Sequence, residues 1–208
     1  MNKERTSGQK KKASFPATLC KIIRILTIPA LLACLLALVL FFEKREIAWY
    51  HFFLLALFDG IIPALSYPVC FLVPKLREKG RDAERKAAFV FSIAGYTGGV
   101  IWALLSRAPR VLMTAYLSYF CSVLLLTFVN KVVKLKASGH ACGIAGPLVL
   151  LAALCGPWYI PLCVCIAAAV VFSSLYLKRH APKELLFGAL CSIVPTVLLW
   201  LLYFVILT

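Results

Sequence analysis

The chain has 208 residues, 62% of them apolar, with a mean hydropathy of +0.92 and only 15% charged residues. Soluble domains run at about 45–50% apolar and about 25% charged, and a water-soluble body of this size has too little interior to hide so much apolar surface. The formal charge of +15, from 23 Lys and Arg against 8 Asp and Glu, would suggest nucleic acid in a soluble protein. Here the basic residues fall between apolar runs, so anionic lipid and membrane topology account for them, and no nucleic-acid partner is expected.

In chain order, residues 1–21 are polar and basic and read as a disordered tail. No A-x-A cleavage site follows the first apolar run, which therefore reads as an uncleaved first span. A helix crossing about 30 Å of hydrocarbon needs roughly 20 apolar residues. Seven stretches approach this: 22–42, 47–73, 88–105, 111–130, 141–155, 158–177 and 185–207. The second carries Asp59, Pro63 and Pro68, which predict a kink or break. The fifth and sixth, parted only by Gly156-Pro157, predict a tight helical hairpin. The expected fold class is all-α, a polytopic transmembrane helical bundle of about seven spans, with six as the alternative. With the N-terminus inside, eighteen Lys and Arg fall on the cytoplasmic side and four on the other, a positive-inside bias that predicts a cytoplasmic N-terminus in a plasma-membrane protein. The nine cysteines lie in or beside apolar runs without a CxxC pair; they read as small apolar residues rather than a disulfide or metal framework.

Polar chemistry collects in three connections: a basic loop at 74–87, KVVKLKASGHACG at 131–143 and SSLYLKRHAPKELLFGA at 173–189. Alternation of spans puts all three on one side. Ser138-Gly139-His140 directly precedes the fifth apolar run, so Ser138 is a natural N-cap and Gly139 lets an anion approach the backbone. Free N–H groups at a helix start suit phosphate oxygens, and Lys131, Lys134 and Lys136 lie just upstream. In the third connection, Pro182 suits a first helical turn. The i,i+4 spacing brings the Glu184 carboxylate within reach of the His180 ring, which would fix the tautomer and leave the other nitrogen reactive. Taken singly, the first motif also fits an ordinary capped helix and the second an incidental juxtamembrane ion pair.

Together, KASGHACG and LYLKRHAPKELLFGA resemble motifs two and three of the type-2 phosphatidic acid phosphatase superfamily, over residues 111–207. Ser138-Gly139-His140 matches S-G-H, with Ala137 where the family has Pro. Ser173 and His180 match the third motif's Ser and His, and Glu184 stands where Asp is expected. Tyr176, Leu177, Pro182 and Gly188 fit its surroundings. The resemblance implies a metal-independent phosphatase without cofactor, with His180 as nucleophile, Glu184 orienting it and His140 protonating the leaving oxygen. Ser138 and Gly139 would bind the phosphoryl oxygens, aided by Lys131 and Lys136. The family's arginine falls at Ser174, leaving Lys178 or Arg179 to replace it. The first motif is absent, and Arg77, Arg81 and Arg85 of the 74–87 loop are the substitutes.

The expected organisation is thus a tail at 1–21, N-terminal membrane helices over 22–110, and a phosphatase-like core over 111–208. The expected substrate is a lipid phosphate or diphosphate of the phosphatidic acid, phosphatidylglycerol phosphate or polyprenyl diphosphate type. A degenerate member that binds phospholipid headgroups, and a small transporter built around Asp59, are the alternatives. Asp59 is the intramembrane carboxylate that makes the last of these worth stating. Oligomeric state is left open by the sequence.

Overall fold

The computed structural model describes residues 15–206, and all regular structure within them is helical. Helix α1 (Phe15–Leu26) is followed by α2 (Pro29–Glu43) and α3 (Trp49–Leu72), then by the short α4 (Pro74–Glu78) and the long α5 (Arg81–Leu105). Helices α6 (Arg110–Lys131), α7 (Gly139–Cys155), α8 (Ile160–Tyr176) and α9 (Pro182–Leu201) complete the bundle. The expected disordered tail is corrected in part, because residues 15–21 form the first turns of α1. The rest of that tail lies outside the described residues.

The helix breaks do not fall where the proline positions suggested. The first apolar stretch, expected as one span, bends by 53° between α1 and α2. Ile28 is extended there (φ −58°, ψ 133°) because the ring of Pro29 disfavours helical geometry in the residue before it. The second stretch, where a kink or break was expected, stays one segment of 24 residues. It absorbs Pro63 by widening into a π-helical turn at Ala56–Ile61, which contains the buried Asp59. A proline lacks the N–H and crowds the carbonyl one turn back, and a π-turn is a usual way to relieve that clash inside a helix. Ser66 Oγ then donates to the Pro63 carbonyl at 2.7 Å.

Five helices are long and apolar enough to cross a membrane, or six if the bent α1–α2 pair is one span. All seven predicted apolar stretches are helical. The expectation of about seven spans is lowered because α7 has only 17 residues, a length of about 25 Å at about 1.5 Å per residue. The protein is an integral membrane protein by these helices. Its surface fits that setting, since Phe42, Phe71, Leu105, Phe172 and Leu198 are all exposed, as lipid-facing residues are.

One core joins the two halves of the sequence. Leu36 and Leu40 of α2, Leu112 and Tyr116 of α6 and Leu150 of α7 are fully buried in a single cluster. Helix α2 packs on α7, and α1 on α8, so residues 22–110 and 111–208 are not separate bodies. The small face of α5 makes this closeness possible: a Cβ at Gly95 would collide with the Phe58 carbonyl, and one at Gly99 with the Tyr116 ring.

Candidate active site

The turn into α7 is shaped from the end of α6. Asn130 donates through Nδ2 to the Leu126 carbonyl at 2.9 Å and to the Ala137 carbonyl at 3.3 Å, and its Oδ1 accepts the Ala137 N–H at 2.9 Å. Residues 132–137 are thereby folded back on the helix they leave, with Lys134 in the left-handed region at φ 59°. This delivers Ser138, buried and extended, as the N-cap of α7, its Oγ accepting the Ala141 N–H at 3.3 Å. The capping role read from the sequence is therefore present. The first backbone N–H groups of α7 follow it, in the position that favours an anion.

The other half of the site comes from the α8–α9 connection. The Arg179 N–H reaches back to the Ser174 carbonyl at 3.0 Å and the Lys178 N–H to the Leu175 carbonyl at 2.9 Å. Lys178 adopts φ 49° to close that turn, a left-handed C-terminal cap usually filled by glycine. His180 emerges two residues later. Its Nδ1 lies 3.0 Å from Glu184 Oε2, the i,i+4 pair expected from the sequence. With the carboxylate at Nδ1, the proton is held there and Nε2 is left with a lone pair.

A backbone hydrogen bond joins the halves: the Ser138 N–H donates to the Glu184 carbonyl at 2.8 Å. Such an approach needs a bare backbone on α9, and Gly188 supplies it, because a Cβ there would strike the Ser138 carbonyl and amide. His140 consequently lies within electrostatic range of His180. Among the described residues its Nε2 is buried with no hydrogen-bond partner. Burial first, then the charges of Arg24 and His180, push the His140 pKa down to about 3, so the free site holds this ring neutral near pH 7.

Arg24, inside the first apolar stretch, was not singled out by the sequence; from α1 its Nη1 donates to the Oγ of buried Ser174 at 2.7 Å. Asn130 was also missed. A cation inside an apolar run was the available signal for Arg24, since such residues are retained for function by default; nothing in the local sequence singled out Asn130.

The remaining expected residues are distributed as follows. Gly139 opens α7 beside His140. Lys131, Lys136, Lys178 and Arg179 are exposed, and Lys136 is near enough for its charge to act on Glu184. Arg77 and Arg85 are exposed as well, and Arg77 lines a separate recess of about 90 Å³ with Tyr67 and Glu84. The Arg81 side chain lies outside the described residues. None of these cations forms a hydrogen bond or ion pair with either histidine among the described residues.

An apolar cleft begins directly at the site. Its volume is about 300 Å³, and its walls include Ala141, Leu148, Val170, Pro182 and Leu185 from α7, α8 and α9. Ala141 follows His140, and Pro182 and Leu185 bracket Glu184. Among the described residues no three His, Cys, Asp or Glu side chains gather as a metal site requires, and all nine cysteines are free. Comparison with protein-family models, with curated proteins and with solved structures returns no match.

Proposed function

We propose that the protein is an integral membrane phosphatase acting on a lipid phosphate or diphosphate, a divergent member of the type-2 phosphatidic acid phosphatase superfamily. The observation that carries this reading is the Ser138–Glu184 backbone hydrogen bond. It brings a capped helix start, an unpartnered imidazole and a carboxylate-oriented imidazole together at the mouth of an apolar cleft. A headgroup placed on the histidines would leave its hydrocarbon chain in that cleft, still in contact with the bilayer. Phosphatidic acid, phosphatidylglycerol phosphate and a polyprenyl diphosphate all satisfy this division.

In the proposed reaction the His180 Nε2 lone pair attacks phosphorus while the bond to the leaving oxygen breaks. Glu184 stabilises the imidazolium that develops, as an oriented carboxylate does. His140 gives its proton to the leaving oxygen; the negative charge of the bound phosphate favours protonation of this ring, which burial first, and then nearby positive charge, keeps neutral in the empty site. Water then attacks the phosphohistidine, His140 takes its proton, the P–N bond breaks, and inorganic phosphate leaves. The basic segments favour a cytoplasmic N-terminus, and the activity is placed, as part of the proposal, in the plasma membrane.

Rapid quenching of turnover on ³²P-labelled phosphatidic acid tests the covalent step. The expected result is an acid-labile, base-stable label that is absent from His180→Ala and accumulates when release of phosphate is slowed. Turnover with no label on the wild-type chain under any quench time contradicts the nucleophile assignment.

A further inference from the structure

Helix α1 has two unlike faces. Phe15, Leu19, Ile22 and Leu26 recur at i, i+4, i+7 and i+11, so they form one stripe along it, and all four are exposed. On the opposite face Cys20 is buried, and Arg24, one turn further on, meets α8. Two contacts fix the height of α1 against the bundle. Arg24 Nη1 donates to Ser174 Oγ at 2.7 Å, and Ser174 lies in the last turn of α8, just before the exposed Lys178 and Arg179. Pro29 meets α7 one turn inside its start, because a Cβ at Gly143 would collide with the Pro29 ring. Cations directly after a membrane helix sit among the headgroups, so Arg24 lies at headgroup level on the face that carries His140 and His180. Residues 15–23 extend from there over about 13 Å of helix. Directed straight out of the bilayer, they would carry an apolar stripe into water. Laid along the surface, the same stripe meets acyl chains. The 53° bend at Pro29 turns α1 aside from the direction of α2, as the second arrangement requires.

We propose that α1 is an interfacial helix that binds the surface of an anionic leaflet, with Phe15, Leu19, Ile22 and Leu26 at the boundary between headgroups and acyl chains. The membrane crossing then begins at Pro29. At 12 residues, about 18 Å, α1 is too short to cross by itself. Charge commits the partner to anionic lipid. Lys21 is exposed off the stripe, and residues 1–14 carry Lys3, Arg5, Lys10, Lys11 and Lys12 against Glu4 alone. An amphipathic helix with basic residues beside it holds to such a surface by apolar burial together with electrostatic attraction. The inference concerns the lipid surface and is independent of the phosphatase reading.

The test uses the full chain in nanodiscs. A fluorescent amino acid is placed in turn at the exposed positions Leu19 and Leu26, and quenching by lipids brominated at shallow or deep acyl positions gives the depth of each. Both probes are expected to respond mainly to the shallow bromines, and to about the same degree. A crossing orientation would set Leu26 about 10 Å deeper than Leu19; deep quenching at Leu26 with none at Leu19 would overturn the proposal. Loss of quenching when a disc holds two copies would give the stripe to a second copy and overturn it as well. Hydrogen exchange of the α1 amides is then compared in phosphatidylcholine discs with and without phosphatidylglycerol. Exchange is expected to slow at least about fivefold with the anionic lipid, the effect of one surface cation, and to recover at high salt. Lys10→Gln, Lys11→Gln, Lys12→Gln and Lys21→Gln combined are expected to remove this difference. Equal exchange of the wild-type chain in the two lipids, or a full difference kept by the combined variant, would overturn the proposal.

Discussion

At the scale of single residues, the site is a set of imidazoles with different surroundings. His180 has a carboxylate at 3.0 Å. His140 has an unpartnered Nε2, and its pKa is lowered to about 3, mainly by burial. This has a consequence for stability. In the unfolded chain a histidine takes its proton near pH 6.5, whereas folded His140 takes it only near pH 3. Between these values the unfolded state binds more protons, so stability rises with pH and is lost as pH falls through that window. Melting of the ligand-free protein in detergent is expected to drop between about pH 7 and about pH 4. His140→Gln should flatten that slope; an unchanged slope in the variant would show that His140 does not titrate in this way. The two histidines and Glu184 were legible in the sequence because their relations are local, one a cap motif and the other an i,i+4 pair. Arg24 was not, since its partner Ser174 is 150 positions away and no local pattern records such a meeting.

At the scale of elements, the decisive contact is the approach of α9 to the start of α7. Gly188 makes it possible, and a Cβ at that position would meet backbone rather than a movable side chain. Gly188→Ala is therefore expected to separate the Ser138 turn from Glu184, costing about 1–3 kcal/mol of stability and most of the turnover. A variant with wild-type melting and turnover would contradict this geometry. The break positions show what local sequence cannot weigh. Pro29 and Pro63 are equally proline in an apolar run, yet one opens a bend and the other is absorbed by a π-turn. Which occurs depends on what packs alongside: the π-turn lies against α2 and α5, whereas the α1–α2 bend lets α1 lean on α8. Lys178, which the resemblance left to stand in for the family's arginine, closes the α8 turn at φ 49° and is exposed.

At the scale of the whole molecule, composition indicated a membrane protein, because so much apolar surface has no other disposal in water, and the apolar runs of about 20 residues indicated helices. All seven apolar stretches are helical, and counting the bent α1–α2 pair as one span meets the six-span alternative. That limit lies in α1–α2 and α7, where a bend and a 17-residue length decide the matter. Residues from 22–110 and from 111–208 share one core. Helix α1 reaches the candidate site from the far end of the chain, and α2 packs on the helix that carries His140. Positive-inside reasoning and phosphate binding both call for basic loops, so charge counting alone does not separate topology from chemistry.

The most direct test of the account is phosphate release by the purified chain in detergent micelles, with EDTA present and no added metal. The substrates are phosphatidic acid, phosphatidylglycerol phosphate and a polyprenyl diphosphate, with His180→Ala alongside. Turnover of at least one lipid, persisting in EDTA and lost by several orders of magnitude in His180→Ala, is the predicted result. No release from any of the three by folded wild-type protein, or equal release by His180→Ala, would contradict the proposed reaction.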